Sequence, residues 1–484
     1  MRSSSAAATS PAPIDAGDAR GLARVLFVLA LALACLRYFR LGQWSLWFDE
    51  AVTWTDIHIG LGGGEIKNPL GYWAIAGWVR AVGGPPDEFT LRFLPATFGV
   101  GCVALTYFAF RPFAGPLRAS AASLLLAAST WHVYWSQNAR FYTMTQFISL
   151  VGAAIVLRAL WSDRVVLALV GFAIAGVAAL FHPSAALVLP ALVTLPWILW
   201  ALPGGDAKPA KRPAIALAVV AAIGALSQVG WLWQTWETFH RQKAASYPVH
   251  YLLTTGFYVT PLWATAALLG AWRAREESFA RAACWIVAGV LCAALIVSFA
   301  ARITAQYVFV ALPWIALLAA CMLPRSIAEA RRSFGLAALC ILLLPTLATT
   351  GLYFTVRNGE RPRWREAYEF VWNERDPGDL IAGMEATVGE FYLSPRSTQL
   401  RQPDRIMWLD YWRVRMVRTW IRHARPTWFI LNPEQLYDWD VADREWFEAM
   451  LREECQLVKD FPLYVESRDL SVKVYRRGGG GGGG

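Results

Sequence analysis

Runs of about twenty apolar residues recur through the first three quarters of the chain, each close to what a helix needs to cross roughly 30 Å of hydrocarbon. Water cannot be the only solvent for such a chain. Of its 484 residues, 56% are hydrophobic, only 17% are charged, and 25 are tryptophan. Eleven membrane spans are expected, at about 21–39, 89–111, 115–135, 140–160, 164–181, 184–202, 213–234, 250–272, 279–301, 304–324 and 333–355. The short turns between them suit antiparallel helices.

Lysine and arginine orient the spans, because positively charged loops stay cytoplasmic. Arg20 and Arg24 precede the first span, and later basic residues fall on every second connection: Arg111 and Arg118, Arg158 and Arg164, Lys208 with Lys211 and Arg212, Arg273 with Arg275 and Arg281, and Arg325 with Arg331 and Arg332. The N-terminus is therefore expected in the cytoplasm. An odd number of spans puts the loop at about 40–88 and everything after Thr355 on the opposite, extracytoplasmic face. The net charge of +10 lies largely in the inside loops, so topology accounts for it without a nucleic-acid partner. Removing the first span as a signal peptide would invert the charge pattern of the other ten, so it is read as retained.

Residues 1–20 read as a disordered Ala/Ser/Pro leader, 21–355 as the membrane domain, 356–477 as an extracytoplasmic α/β domain and 478–484 as a glycine linker or tag remnant. In the outer loop, GLGGGE and VGGPPDE punctuate a segment rich in Trp and Tyr, which prefer the headgroup layer. Two short surface helices are expected at about 49–59 and 69–82. In the tail, DLIAG, TWFILN and LSVKVYRR read as strands, and RWREAYEFVWNERD and DREWFEAMLREE as helices. No nucleotide-binding glycine loop is present. Six of the seven cysteines fall in expected spans, which indicates no disulfide framework.

Within the outer loop, WFDEAVTW sets Asp49 and Glu50 among aromatic and apolar residues. Facing water, such acids need no explanation beyond topology. Beside apolar surface, a carboxylate gains affinity for a proton and can act as a general base towards a hydroxyl. Adjacent acids cannot point the same way on a helix, so one could act while the other holds an acceptor or a helix end. Lys67 in IKNPLGYW is either a snorkelling anchor or a point charge for phosphate. Arg140, in SQNARFYTMTQ with Gln137 and Tyr142, sits on the outer side, where the positive-inside rule disfavours arginine. So does Arg302, which precedes Gln306 and Tyr307. Cations gathered at headgroup height beside a potential base suit a lipid phosphate as leaving group. Glu88 and Arg92 are spaced as a structural i,i+4 helix pair. All six histidines fall on the outer side, but no two have the i,i+4 spacing of a zinc motif. A divalent metal is the less favoured reading, and no cofactor is called for.

WFDEAVTW, IKNPLGYW and DEFTLRFLPATFGV, in that order between the first two spans, resemble the first outer loop of polyprenyl-phosphate-dependent glycosyltransferases of the GT-C fold. The protein O-mannosyltransferase and lipid A aminoarabinose transferase branch is the one they resemble. SQNARFYTMTQ and QYVFVALPWIALL resemble later segments of bacterial members, and the resemblance covers about residues 20–355. It implies a bacterial inner-membrane enzyme that moves a single sugar from a polyprenyl-phosphate donor to the hydroxyl of an extracytoplasmic glycan, glycolipid or protein, inverting the anomeric centre. It further implies Asp49 as catalytic base with Glu50 assisting, Lys67, Arg140 and Arg302 around the donor phosphate, and Gln137, Tyr142, Gln306, Tyr307 and Tyr72 in support. Asn68 stands where relatives often have proline, and Lys67 where many mannosyltransferase-like members have histidine. The alternatives are a lipid-linked oligosaccharide ligase or polymerase, a lipid-linked sugar flippase or transporter, and a structural scaffold. A transporter would want its ionisable groups near mid-membrane rather than at one boundary.

Overall fold

The computed structural model describes residues 16–59, 68–227, 247–324, 335–394, 406–409 and 414–478, with a few more between 229 and 237. The chain divides into two compact units. One comprises Met1–Arg37, Thr97–Val133 and Tyr142–Leu347, and the other Tyr38–Ala96, Tyr134–Phe141 and Ala348–Gly484.

The first unit is helical. Each of the eleven expected apolar stretches carries helix in its described part, but the elements are less uniform than eleven plain spans. Among the described residues, six helices are long and apolar enough to cross a membrane: Arg20–Tyr38, Glu88–Ala128, Tyr142–Trp161, Pro183–Ala201, Ser278–Ser298 and Gly335–Phe354. A seventh arises if the pair Pro248–Val259 and Pro261–Arg273 is counted as one. That pair occupies the span expected at 250–272, yet it bends by 82° at Thr260. The break has a local cause. Proline at 261 disfavours helical backbone at the residue before it, and Thr260 instead takes φ +61 and caps the second helix by accepting from the Trp263 N–H. Glu88–Ala128 joins two expected spans into one 41-residue run, broken at Gly115, whose φ of +81 only glycine adopts without strain. Helices Tyr142–Trp161 and Val165–Phe181 pack through Gly152 and Gly171. A Cβ on Gly152 would lie 2.5 Å from the Ala175 nitrogen, so these two backbones touch because the side chains are absent.

Arg37, at the end of the first span, is fully buried in this unit. Its guanidinium donates to the carbonyls of Leu126 and Ala127 and to His132 Nδ1, the last at 2.8 Å. Arginine can only donate, so His132 presents Nδ1 as acceptor and its Nε2–H to Gln146 Oε1 at 2.9 Å. Gln146 in turn donates to the Phe309 carbonyl at 2.7 Å. Every partner of this intramembrane arginine is therefore a protein group that satisfies it, as burial demands.

In the second unit the outer loop forms the two expected short helices, Phe48–Ile59 and Pro69–Val82. Among the described residues of the tail, five strands form one sheet: β1 (Ile381–Gly383), β2 (Ile406–Trp408), β3 (Trp428–Leu431), β4 (Cys455–Phe461) and β7 (Val472–Arg477), while β5 (Tyr464–Val465) and β6 (Arg468–Asp469) make a separate hairpin. The order across the sheet is β2-β1-β3-β7-β4. β1 pairs in parallel with β2 and β3, with Ala382 opposite both Met407 and Phe429, and β7 runs antiparallel between β3 and β4. TWFILN supplies β3 through its apolar WFIL, buried along its whole length as a central strand must be. Helix Trp364–Glu374 turns Trp364, Ala367, Tyr368 and Val371 inwards at i, i+3, i+4 and i+7. Tyr368 donates to the Met384 carbonyl at 2.7 Å and fills the space beside Gly383 and Gly389, where a Cβ would collide with its ring.

Candidate active site

Glu50 begins the construction because it is wholly buried and accepts from every side. It lies in the first turn of helix Phe48–Ile59 and reaches back to the Trp47 N–H at 3.4 Å, the helix-end role a carboxylate plays in a capping box. Arg92 donates to both its oxygens at 2.7 Å, and the Ala139 N–H donates to Oε1 at 2.7 Å. Arg361 stands 3.6 Å from Oε2. Burial opposes ionisation of Glu50. The adjacent guanidinium of Arg92, with its two hydrogen bonds, then Arg361 and the Ala139 N–H, outweigh it and hold the carboxyl below the usual carboxylate range.

Arg92 shows why this cluster is rigid. Beyond Glu50 it donates to the carbonyls of Leu41 at 3.1 Å, Trp44 at 2.9 Å and Ser45 at 2.9 Å. All five of its N–H groups are thereby used, and one side chain binds the 41–45 segment to the start of the next helix. The expected helix pair of Glu88 with Arg92 is not formed. Arg92 turns to Glu50, and Glu88 instead bonds Arg365 of the tail, which also donates to the Gly42 carbonyl at 3.3 Å. Spacing along one helix allows a pair, but Arg92 gains a bidentate contact with a fully buried carboxylate, and Glu88, itself buried, finds a cation of its own in Arg365.

One residue earlier, about 100° around the helix, Asp49 points elsewhere and keeps 32% of its side chain exposed. Among the described residues it pairs with Arg140, whose Nε lies 3.9 Å from Oδ2. Arg140 Nη1 also donates to the Asp49 carbonyl at 3.3 Å, to Thr53 Oγ1 at 3.0 Å and to the Tyr72 hydroxyl at 3.3 Å. The Tyr72 phenol is buried and bonds Asp56 as well. Burial raises it above its ordinary value despite the cation, so it remains a neutral hydroxyl. Phe141 supports this corner, with its ring 5.0 Å from the Arg140 guanidinium carbon and 4.7 Å from the Tyr72 ring. Gly71 lets the aromatic ring of Phe141 approach where a Cβ would sit 2.5 Å from it.

Of the residues the sequence singled out, Asp49, Glu50, Tyr72, Gln137 and Arg140 all belong to the second unit. Gln137 is fully buried there and acts as a clamp: its Oε1 accepts from Trp44 at 3.3 Å and Tyr353 at 3.0 Å, and its Nε2 donates to the Phe39 carbonyl at 2.8 Å. Tyr142, Arg302, Gln306 and Tyr307 belong to the first unit. Tyr142 and Tyr307 both contact the ring of His182, at 4.6 and 5.5 Å, and Arg302 is exposed with its guanidinium 5.7 Å from the Tyr247 ring. Lys67 lies outside the described residues. Among the described residues no group of three or more His, Cys, Asp or Glu is arranged to hold a metal ion.

Arg92, Arg361 and Arg365 were not read as site residues from the sequence. Arg361 follows the turn Asn358-Gly359-Glu360, all three residues having positive φ, at 49°, 63° and 53°. Left-handed backbone costs a non-glycine residue about 1–2 kcal/mol. Gly359 is required twice over, since a Cβ there would also lie 2.8 Å from the Trp44 ring. The tail's first stretch, RNGERPRWR, carries four arginines in nine residues, and nothing in that local composition distinguishes the one that becomes buried.

No protein-family model matches the chain, and no curated protein sequence is significantly similar to it. Solved structures do match. ArnT from Cupriavidus metallidurans bound to undecaprenyl phosphate superposes with a TM-score of 0.54 at 16% identity, covering 93% of this chain and 97% of that one. The apo state of the same protein gives 0.53 at 14% identity, over 95% and 98%. The Archaeoglobus fulgidus oligosaccharyltransferase tethered with an acceptor peptide containing the NVT sequon gives 0.54 at 10% identity, over 87% and 72%. The chain is a polytopic membrane protein of the GT-C fold with a sheet-containing C-terminal part.

Proposed function

We propose that this chain is a glycosyltransferase that moves one sugar from a polyprenyl-phosphate donor to a hydroxyl of an extracytoplasmic glycan, glycolipid or protein. The observation that carries the reading is the placement of Asp49: a partly exposed carboxylate beside Arg140, on a helix that the buried Glu50–Arg92 pair anchors. A base must be open to its substrate yet held in position, and those two requirements fall on consecutive residues.

In the proposed reaction Asp49 takes the acceptor's hydroxyl proton as that oxygen forms a bond to the anomeric carbon. The bond from that carbon to the phosphate oxygen breaks on the opposite face, its electron pair leaves with the phosphate, and the anomeric centre inverts. Charge accumulating on the phosphate calls for prebuilt positive charge, which Arg140 offers at the site and for which Lys67 and Arg302 are further candidates. Glu50 accepts hydrogen bonds on both oxygens and is closed to solvent, which suits a positioning residue rather than a proton acceptor. The neighbours support the donor class, since ArnT from Cupriavidus metallidurans has been seen bound to undecaprenyl phosphate. The equal TM-score of the oligosaccharyltransferase keeps transfer of a whole oligosaccharide as the second reading, although the chain spans 97% of the ArnT chain and 72% of the oligosaccharyltransferase. By this reading the active site and tail face away from the cytoplasm of a bacterial inner membrane, and no cofactor is required, a divalent metal being the less favoured reading.

The test compares lipids and envelope glycans, by mass spectrometry, from cells making the wild type or Asp49→Asn at equal levels. Loss of a single sugar with accumulation of its lipid-phosphate donor is expected. Loss of a larger block would select the second reading, and unchanged glycans would sink both.

A further inference from the structure

Arg361 is a second cation on a carboxylate that already has one. Glu50 is already neutralised by the two-pronged contact with Arg92, whose five N–H groups are all occupied, so the buried trio of Glu50, Arg92 and Arg361 carries one excess positive charge. Arg361 is 1% exposed, and its Nε, Nη1 and Nη2 have no hydrogen-bond acceptor among the described residues. Its guanidinium carbon lies 4.1 Å from the Tyr134 ring centroid and 5.8 Å from that of Trp47. The left-handed turn at 358–360, pressed against Trp44 through Gly359, delivers it there. Packing alone would be better served by an apolar residue, because an unpaired buried cation is costly and a half-satisfied one nearly as much.

We propose that Arg361 is a positioning residue for the reaction: the excess charge it buries beside Glu50, one residue along the helix from Asp49, favours an anionic phosphate at the Asp49–Arg140 pair. This rests on the proposed function and adds a residue to it. Burial makes the charge effective at a distance, because low-dielectric walls screen it less than water would. From the 3.6 Å contact with Glu50, plus one side chain and one Cα–Cα step, the guanidinium lies within about 13 Å of the Asp49 backbone. At that range and an effective dielectric near 20, one charge changes an anion's affinity by about ninefold per unit of anionic charge before salt screening, and severalfold with the partial screening of a buried group.

The experiment uses the full chain purified in detergent and two probes, undecaprenyl phosphate and the uncharged alcohol undecaprenol, with binding and thermal unfolding measured on each variant. Arg361→Met is expected to lower the preference for phosphate over alcohol three- to tenfold while leaving alcohol binding unchanged. A purely structural role would weaken both probes alike. Arg361→Lys keeps the charge and discards the five-donor fork, and is expected to retain the preference within about threefold. A Met variant that unfolds at the wild-type temperature and keeps the full preference overturns the inference. If the Met variant is poorly folded, the Lys variant decides: a folded Lys protein that has lost the preference overturns it, and one that keeps it supports it. A wild type with no preference for the phosphate would instead bring down the proposed function.

Discussion

Replacing Glu50 by Gln tests the anchoring of the catalytic loop with almost no change of shape. The carboxylate accepts two hydrogen bonds from Arg92, one from the Ala139 N–H and a longer one from the Trp47 N–H. Glutamine keeps one acceptor oxygen and turns an NH2 group towards the donors that faced the other. Each oxygen accepts from Arg92 and from one backbone N–H, so two donors meet a donor whichever way the amide turns, and Arg92 remains buried with its charge unmatched. Two lost charge-assisted bonds at about 1.5–3 kcal/mol each agree with the roughly 3–5 kcal/mol typical of breaking a buried ion pair. Because the pair ties helix Phe48–Ile59 to segments 41–45 and 134–141, the loss is expected as local opening. Hydrogen exchange read by mass spectrometry on the detergent-purified protein should show amide protection in Phe48–Ile59 and at Ala139 falling by about two to three and a half powers of ten, at 1.4 kcal/mol per decade. The sign with pH follows from a folded-state value below the unfolded one near 4.3. The stabilisation is fully present above that unfolded value and lost as pH falls through the folded one, so wild type and Glu50→Gln should converge only in strong acid. Protection within threefold of wild type at neutral pH would refute the anchoring argument.

Two further outcomes are expected. A double-mutant cycle of Glu88→Gln with Arg365→Met, read by thermal unfolding, should give a coupling of about 0.5–3 kcal/mol, whereas the same cycle between Glu88 and Arg92, which share no hydrogen bond, should give a smaller one. A larger coupling in the second cycle would restore the helix pair. Gly359→Ala forces a Cβ to within 2.8 Å of the Trp44 ring at φ +63, and should lower the stability of the second unit by roughly 2 kcal/mol or more, measured as protease resistance of the tail. Unchanged resistance would mean that the turn relaxes.

Much of this architecture was legible from pattern. The two outer-loop helices lie at 48–59 and 69–82, and DLIAG, TWFILN and LSVKVYRR form β1, β3 and β7, because apolar periodicity and turn residues act within a few positions. The bend at Thr260 was also written locally, in a threonine before a proline, yet an apolar run of the right length hid it. WFDEAVTW likewise announced two acids of different use, since neighbours on a helix diverge by about 100°.

Which acid did which, and with whom, was a long-range matter. Arg92 lies 42 residues from Glu50, and its choice of Glu50 over Glu88 depends on desolvation that exists only once the chain is packed. Arg361 lies in a stretch whose composition marks a solvated surface, and only folding places it, 1% exposed, beside Glu50. By itself the sequence determined a many-span helical protein with an aromatic, acid-bearing outer loop and an α/β tail, because hydrophobicity and periodicity are local properties. The tertiary structure alone decided which carboxylate is sealed and which is open, because burial and charge pairing belong to residues that meet only in three dimensions.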